Sequence, residues 1–295
     1  IKYIESLENV VYFQSANWGL QDRLLSNICN KKKWKSVMIP YTSDQIHCTG
    51  HLLSDHNIFA VQSDYEKELA INLHNINKDR IEVIGSIWHR NIEYFETPST
   101  GPLSSKVRKK ILYAGVTSLY FPRLTEIKSV IAIAENFPET EVDYCPYVNK
   151  EELESILKTF SKIKNVNVIP HSESMTELNT NKNVSFERDL MHHIQKITNI
   201  DVFVMSYLTS LSTDTNFISR CPLIANFIDE FDILKKRNTD EFPKDMLGNK
   251  LKVISSYNCL ISSVEEALNY VSVDPKSEPY LYWDSDVKLD KSISR

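Results

Sequence analysis

Glycine is scarce in this sequence, with 6 residues among 295, and proline is not abundant either, with 11. Collagen-like and low-complexity chains are rich in both residues, so those classes are excluded. Long apolar runs are also missing. The best stretch, residues 130–134, is far shorter than the roughly 18 residues that a membrane-spanning helix needs. No apolar segment of the kind found in secretory signal peptides opens the chain.

Neither an excess of positive charge nor a metal-binding cysteine pattern is present. The 34 Lys and Arg residues are outnumbered by 39 Asp and Glu residues, which gives a net charge of -5. Proteins that bind nucleic acids usually carry a basic face, so we expect no nucleic-acid partner. The 5 cysteines are scattered, without a Cys-x-x-Cys pair, which indicates thiols in a reducing compartment. We therefore expect a cytoplasmic protein, at most peripherally associated with the inner face of a membrane.

The sequence does contain a regular alternation of short apolar runs and helical patterns. Continuous apolar runs separated by helices are typical of parallel strands covered on both faces. One helix is marked at its start by a capping box, Ser63 with Glu66, and by apolar residues at Leu69, Ala70 and Leu73. The predicted strands are 10–16, 36–41, 57–62, 80–85, 110–115, 141–145, 165–170, 201–205, 222–228 and 251–255.

A stretch rich in Pro, Ser and Thr, residues 97–105, interrupts this alternation and predicts a linker between domains. We expect an α/β fold with two Rossmann-like doubly wound domains that face a cleft, because ligands of such sheets bind outside the carboxyl ends of the strands. The first domain has fewer predicted strands than the second, so we expect it to be truncated at its N-terminus. The predicted divisions are 1–97, a linker at 98–107, 108–275 and a C-terminal tail at 276–295.

The most informative segment follows the strand predicted at 201–205. A turn rich in Ser and Thr leads into a short helix, and Pro222 opens the next strand. Free N–H groups at a helix start, together with hydroxyl groups, favour a phosphate ligand. Serine and threonine also commonly cap helices without binding anything, and this interpretation stays open. The hydroxyl-bearing residues are Thr209, Ser210, Ser212 and Thr213.

This order of strand, Ser/Thr turn, acidic residue, short helix and proline resembles the donor-binding segment of GT-B glycosyltransferases and their relatives. These relatives include the CDP-glycerol glycerophosphotransferases. The resemblance implies that the turn holds the diphosphate of a nucleotide donor and that an acidic residue on the following helix binds the ribose. That acid would be Asp214, although the family places it at the position that is Thr215 here.

Residues 111–118, Ile-Leu-Tyr-Ala-Gly-Val-Thr-Ser, resemble the first strand and glycine turn of the C-terminal GT-B domain. The resemblance implies that the glycine lets the backbone approach the donor phosphates, and that Arg123 or Lys128 supplies charge against them. His171 lies where these families read the nucleobase. A single glycine after a strand and an exposed histidine are also common without any such role. The donor-binding residues expected are Gly115, Thr117, Arg123, His171, Ser210, Ser212, Thr213 and Asp214.

In the first domain, polar residues that follow predicted strands would point into the cleft. Asp44 is a candidate general base for an acceptor hydroxyl, with His47 or His51 as competitors on the same helical face. Helix capping by Ser43 or Asp44 is an equally good interpretation. The catalytic candidates are therefore Asp44 and His47, and the candidates on the acceptor side are Asp22, His89 and Arg90.

No metal site is expected. His192 and His193 are adjacent, so their side chains do not converge on one helix face, and no cluster of ligand residues accompanies them. The GT-B resemblance likewise implies a transferase that requires neither metal nor cofactor. Catalysis would depend on positioning and on electrostatic stabilisation of the leaving diphosphate. Such an enzyme would move a sugar or a polyol phosphate from a nucleotide-activated donor to a surface polysaccharide or glycolipid acceptor.

Two other classes of two-domain protein stay open. An enzyme of the UDP-N-acetylglucosamine 2-epimerase type shares the fold and the donor site, but needs several acid and base carboxylates that we cannot place in this sequence. A non-catalytic two-domain binding protein for small ligands normally carries an export signal and several crossovers, whereas this sequence shows one linker. Fold alone does not separate these classes, because function depends on the site.

Overall fold

The computed structural model describes residues 10–15, 20–39, 56–85, 108–116, 122–171, 186–206, 211–212, 214–215, 219, 221–226, 251–254 and 256–269. These residues belong to two compact units, which divide the chain between residues 90 and 91. Each unit is built on its own parallel β-sheet. The predicted linker at 98–107 and the predicted tail at 276–295 lie outside the described residues.

The first unit contains a four-stranded sheet in which strands that are consecutive in sequence are also neighbours in space. Every pairing between them is parallel, as expected when helices or long connections separate the strands. A short 3-10 helix precedes the last strand. The elements are β1 (Val11–Gln14), α1 (Leu20–Lys32), β2 (Lys35–Met38), β3 (Ile58–Val61), α2 (Asp64–His74) and β4 (Ile81–Val83).

Helix α2 begins where the sequence predicts. The Ser63 hydroxyl accepts a hydrogen bond from the N–H of Glu66 (3.1 Å), and the buried Glu66 carboxylate accepts one from the N–H of Gln62 (2.6 Å). The second bond therefore comes from one residue earlier than in a standard capping box, where the N-cap residue itself donates. The helix ends at Asn75, whose φ of 54° is the left-handed conformation common at helix C-termini.

Strand β1 lies at an edge of the first sheet and exposes large apolar side chains. Val11 is 51% exposed and Phe13 is 64% exposed. Val11 and Phe13 are two positions apart along the strand, so they lie on the same face.

The N-terminal truncation expected for this domain stays a prediction. Among the described residues of the unit, one buried apolar cluster comprises Met38, Phe59, Val61, Ala70, Ile76 and Ile81.

The second unit contains β5 (Lys110–Ala114), α3 (Arg123–Asn136), β6 (Glu141–Cys145), α4 (Lys150–Phe160), β7 (Val166–Val168), α5 (Phe186–Ile197), β8 (Val202–Met205), β9 (Leu223–Asn226), β10 (Leu251–Ile254) and α6 (Tyr257–Leu268). Its strands form one parallel sheet in the order β10-β9-β8-β5-β6-β7. The chain builds outwards from β5 in one direction, then returns to β8 and builds outwards in the other. This is a doubly wound Rossmann order with its switch point between β5 and β8.

The central strands of this sheet are buried along their whole length, as every residue of β8 and of β9 is buried. Strands of this kind need helices on both faces, which explains their continuous apolar sequence. One continuous core joins α3, α4 and α6 to the sheet. Its largest fully buried side chains are Tyr113 and Tyr144, and Phe203 is also fully buried in this unit.

The α/β fold class and all ten predicted strands are confirmed. Several predicted strands extend past the observed carboxyl ends; Gly85 and Gly115, for example, lie just outside β4 and β5. A strand ends where pairing with its neighbour ends, and apolar character alone does not mark that point. In the part of the chain that the structure describes, no helix has the length and apolar character needed to span a bilayer.

Candidate functional site

Three residues predicted for the donor site, Gly115, Arg123 and His171, lie at the carboxyl edge of the second sheet, whereas Ser212 and Asp214 belong to a helical segment between β8 and β9. β5 and β8 are neighbours at that edge, with Ala114 paired to Met205. The chain leaves β5 through Gly115 and Val116, and leaves β8 through Ser206, whose N–H donates to the Ala114 carbonyl (3.1 Å). Ligands of doubly wound sheets bind outside the carboxyl ends of the strands, at this switch point.

Arg123, the first residue of α3, is fully hydrogen-bonded within the second unit. A guanidinium group has five N–H donors, and five contacts to protein groups use them all. A direct contact with a diphosphate would therefore require some of these bonds to open. The partners are the carbonyl oxygens of Val116 (2.9 Å) and Tyr147 (3.0 Å), the carboxylates of Glu126 and Glu152 (2.9 Å for Glu152) and the hydroxyl of Tyr144 (3.4 Å).

Glu126, one helical turn after Arg123, is fully buried next to the turn that follows β5. One carboxylate oxygen accepts a hydrogen bond from the Val116 N–H (2.9 Å), and the other accepts from the Tyr144 hydroxyl (2.8 Å) and from Arg123. Burial raises the pKa of the Glu126 carboxyl group, although the charge of Arg123 opposes this effect. Burial and the Glu126 charge also raise the pKa of the Tyr144 hydroxyl, which therefore remains a donor.

The carboxylate of Glu126 explains why a glycine occupies position 115. A Cβ atom at Gly115 would lie 2.5 Å from Glu126 Oε2 and 3.1 Å from Arg123 Nη1, so a larger residue would displace the buried pair. The N–H groups of the turn are also in use, because Gly115 donates to the Cys145 carbonyl (2.9 Å) and Val116 donates to Glu126. The group that closely approaches this glycine is thus a side-chain carboxylate; approach by a donor phosphate stays a prediction.

A second buried network adjoins the first. The Tyr113 hydroxyl lies 3.0 Å from Ser206 Oγ and accepts a hydrogen bond from the side-chain amide of Asn226 (2.9 Å), which also donates to Ser129 Oγ (2.9 Å). All four side chains are fully buried. Ser206 opposes the rise in the pKa of the Glu126 carboxyl group, so the second network lies beside the first. Together they connect the ends of β5, β8 and β9 to α3.

Asp214 is held by His193 of α5. Asp214 Oδ2 lies 2.9 Å from His193 Nε2, and only 4% of the aspartate residue is exposed. The surrounding short helical segment also buries Ser212 and Thr215, and the Thr215 hydroxyl donates back to the Leu211 carbonyl (2.7 Å). The acidic residue expected to bind a ribose is therefore a buried side chain with a defined position.

The two adjacent histidines of α5 have different partners. His193 contacts Asp214, whereas His192 Nε2 lies 3.1 Å from the carbonyl oxygen of Pro170. Each histidine thus attaches α5 to a different segment, His192 to the one that follows β7 and His193 to the one between β8 and β9. Among the described residues, no group of three or more His, Cys, Asp or Glu side chains is placed to hold a metal ion.

Tyr147 and His171 form an aromatic pair after β6 and β7. Their ring centroids are 4.5 Å apart, their planes are inclined by 36°, and Tyr147 is 56% exposed. The backbone is held on both sides, because Arg123 donates to the Tyr147 carbonyl and the buried Lys196 donates to the His171 carbonyl. The pair therefore offers a fixed aromatic surface at the edge of the sheet where we expect a nucleobase.

The structure describes five of the eight predicted donor-site residues, and all five belong to the second unit. Arg123 lies beside Gly115, and Asp214 contacts His193. The roles of all these residues stay predictions. Of the other candidates, Asp22 lies in α1 without a described side chain, and the following lie outside the described residues: Asp44, His47, His89, Arg90, Thr117, Ser210 and Thr213.

The sequence analysis missed Glu126, Tyr147 and His193. Glu126 has a recognisable signal, since an acid follows Arg123 by three positions in the first turn of the helix after a glycine turn. Tyr147 and His193 have no such signal. His193 meets an aspartate 21 positions later, and this pairing depends on how the helix and the turn lie on the sheet.

Comparison with known proteins shows similarity in fold but not in sequence. No family model matches this chain, and no curated protein matches it. Solved structures do match. A Staphylococcus aureus MnaA structure with UDP has a TM-score of 0.57 at 10% identity, over 95% of this chain and 68% of the other. The UDP-GlcNAc 2-epimerase of Methanocaldococcus jannaschii has a TM-score of 0.56 at 13% identity, over 97% and 75%.

The UDP-GlcNAc 2-epimerase of Neisseria meningitidis, bound to UDP-GlcNAc, has a TM-score of 0.52 at 12% identity, over 88% of this chain and 68% of the other. The chain therefore has a GT-B-like fold of two Rossmann-like units. At such low identity the likeness shows the fold alone, and it does not identify the reaction.

Proposed function

We propose that this protein is an enzyme that acts on a nucleotide-activated sugar, and that it binds the nucleotide at the carboxyl edge of its six-stranded sheet. The observation that carries the proposal is the switch point between β5 and β8, where two buried hydrogen-bond networks fix the turns that follow the strands. The solved structures of similar fold include one with UDP and one bound to UDP-GlcNAc, in keeping with a nucleotide ligand.

We assign the diphosphate to the segment that follows β8. A helix start offers N–H groups to an anion, and the hydroxyls of Ser210, Ser212 and Thr213 would add to them. Asp214 would accept a hydrogen bond from a ribose hydroxyl, and its bond to His193 would orient it for that purpose. Replacing Ser212 and Thr213 with Ala should weaken nucleotide binding by about 1–3 kcal/mol, the usual cost of lost hydrogen bonds to a charged group.

For the reaction itself, we propose transfer of a sugar or a polyol phosphate to a carbohydrate or glycolipid acceptor. Asp44 or His47 would remove the proton from the acceptor hydroxyl, and Asp22, His89 and Arg90 would line the acceptor side. The reaction would take place in the cytoplasm or at the inner face of the membrane. Neither a metal nor a cofactor is part of the proposal, since helix N–H groups and side chains would stabilise the leaving diphosphate.

The second candidate is epimerisation of UDP-N-acetylglucosamine. It is favoured by the fact that several solved structures of similar fold are UDP-GlcNAc 2-epimerases. The two reactions differ in what they consume and release. A transferase releases a nucleoside diphosphate or monophosphate only in the presence of an acceptor, whereas an epimerase changes the configuration of the sugar without any acceptor.

Titration calorimetry with UDP, CDP, GDP and ADP tests whether the protein binds a nucleotide, and the proposal is refuted if it binds none of them. Proton NMR of the protein with UDP-GlcNAc alone then tests epimerisation, through the appearance of a new anomeric signal. Incubation of radiolabelled UDP-GlcNAc or CDP-glycerol with a mixture of cell-wall glycolipids tests transfer. Label that never moves to the lipid fraction, together with a new epimer signal, would refute transfer in favour of the second candidate.

A further inference from the structure

We infer that Arg123 and Glu126 act as positioning residues for the nucleotide. We call them the Arg–Glu clasp. The clasp sets the conformation of the turn after β5 and joins it to the segment after β6, and in this way it controls nucleotide affinity without contacting the nucleotide. The inference rests on the function proposed above, because it assumes a nucleotide at this edge of the sheet.

The clasp binds both backbone groups of Val116 and so sets the conformation of the turn. The N–H of Val116 donates to Glu126 (2.9 Å), and the carbonyl of Val116 accepts from Arg123 (2.9 Å). The preceding N–H, of Gly115, donates to the Cys145 carbonyl (2.9 Å). A glycine turn without these bonds would sample many conformations. With them, the path of the chain at the switch point is fixed by two side chains of one helical turn.

The clasp also joins three segments of the carboxyl edge. The nitrogen of Arg123 that binds the Val116 carbonyl also donates to the Tyr147 carbonyl (3.0 Å). The ring of Tyr147 contacts His171, which follows β7. A planar guanidinium can hold two carbonyls and two carboxylates at once, whereas a lysine ammonium cannot reach all of them. The turn after β5 and the aromatic pair should therefore keep their relative positions only while Arg123 is present.

The placement of the clasp argues against a role in stability alone. Burial of an ion pair costs desolvation energy that its attraction only partly offsets, so an apolar pair would often stabilise a fold as well or better. Glu126 is fully buried although an extensive apolar core lies beside it. What the ion pair provides, and an apolar pair does not, is a set of directed hydrogen bonds to the backbone of the turn.

The test compares Arg123→Lys with a matched control, Lys110→Met. Lys110 forms another largely buried ion pair of the same sheet, with Asp143 (2.6 Å), but it is the first residue of β5 and lies at the opposite end of the strand from the turn. We expect both variants to melt at lower temperature. Calorimetric titration with UDP and CDP should give a dissociation constant raised about tenfold by Arg123→Lys, the size expected from lost charge-assisted bonds, and unchanged by Lys110→Met.

Three outcomes would overturn the inference. If Arg123→Lys folds and binds the nucleotide as tightly as the wild type, the clasp does not position the site, and the proposed function survives. If both variants weaken binding equally, the effect is one of general stability. If the wild type binds no nucleotide, the proposed function itself fails. Should Arg123→Lys not fold, the isosteric Glu126→Gln takes its place, and it should raise the dissociation constant at least severalfold.

Discussion

Replacement of Gly115 by alanine is the sharpest stability test of the site. The added Cβ would lie 2.5 Å from Glu126 Oε2, 3.1 Å from Glu126 Cδ and 3.1 Å from Arg123 Nη1. These atoms cannot simply move away, because Glu126 also accepts hydrogen bonds from the Val116 N–H and the Tyr144 hydroxyl. Overpacking of a well-packed interior usually costs about 1–3 kcal/mol. We expect the upper half of this range, about 2–3 kcal/mol, because buried hydrogen bonds to a charged group are strained as well.

A double-mutant cycle separates the clash from other effects of the alanine. Glu126→Ala is destabilising by itself, but it removes two of the three atoms that the new methyl group would meet, and the third, Arg123 Nη1, loses the carboxylate that holds it. In that background Gly115→Ala should cost less than about 0.5 kcal/mol, which leaves a coupling energy of about 2 kcal/mol between the two positions. Urea unfolding of the four proteins, followed by circular dichroism, gives the four free energies of unfolding.

Gly85 provides the control for this cycle. It has a φ of 76°, and among the described residues no heavy atom beyond its chain neighbours lies within 4 Å of a Cβ at that position. Gly85→Ala should therefore cost about 1–2 kcal/mol through backbone strain, and Glu126→Ala should not relieve that cost. If Gly115→Ala is as destabilising with Glu126 absent as with Glu126 present, the carboxylate is not the reason for the glycine and our account of the turn is wrong.

The raised pKa of Glu126 predicts a pH dependence. The folded protein holds the Glu126 proton more tightly than the unfolded chain, whose pKa is about 4.3. The free energy of unfolding of the wild type should therefore fall, relative to that of Glu126→Gln, as pH rises from that value to the raised folded pKa. Urea unfolding from pH 4.5 to 8 measures this difference, and no change with pH would refute the prediction. His193→Leu should lower the free energy of unfolding by about 2 kcal/mol, since the buried Asp214 loses a partner, and equal thermal stability of the two proteins would contradict it. Tyr147→Ala should raise the dissociation constant for UDP about tenfold, as expected for a lost stacking contact, and leave that for pyrophosphate unchanged. Leu157→Ala, another exposed side chain, should change neither.

The fold could be predicted because its signals are local. β8 is a short apolar run and β9 is mostly apolar, and the Ser63–Glu66 cap is visible as a spacing of three residues. The same local reasoning failed where packing decides. Leu73 fits the apolar stripe of α2 in sequence but is 47% exposed in the structure.

The site could be predicted only in part, because its partners are far apart in sequence. Gly115 is recognisable as a glycine after a strand, but the reason for it, the Glu126 carboxylate, appears only when α3 lies beside β5. Asn226 reaches Tyr113 across 113 positions, and no pattern in the sequence links the two. Sequence reasoning therefore found the turns at the edge of the sheet, and it missed the side chains that hold them in place.

The distribution of buried polar groups indicates a role for the carboxyl edge of the six-stranded sheet in ligand binding. Tyr113, Glu126, Ser206 and Asn226 are fully buried, and they belong to two adjoining networks around the carboxyl ends of β5, β8 and β9. Apolar side chains of similar size would fill that space without the desolvation cost that buried polar groups carry. What Glu126 gains instead is a directed bond to the Val116 N–H, and what the other three side chains gain is a set of bonds that joins β5, β8 and β9. A ligand that must be met by several turns at once needs such an edge, because its affinity depends on turns that are already in position before it binds.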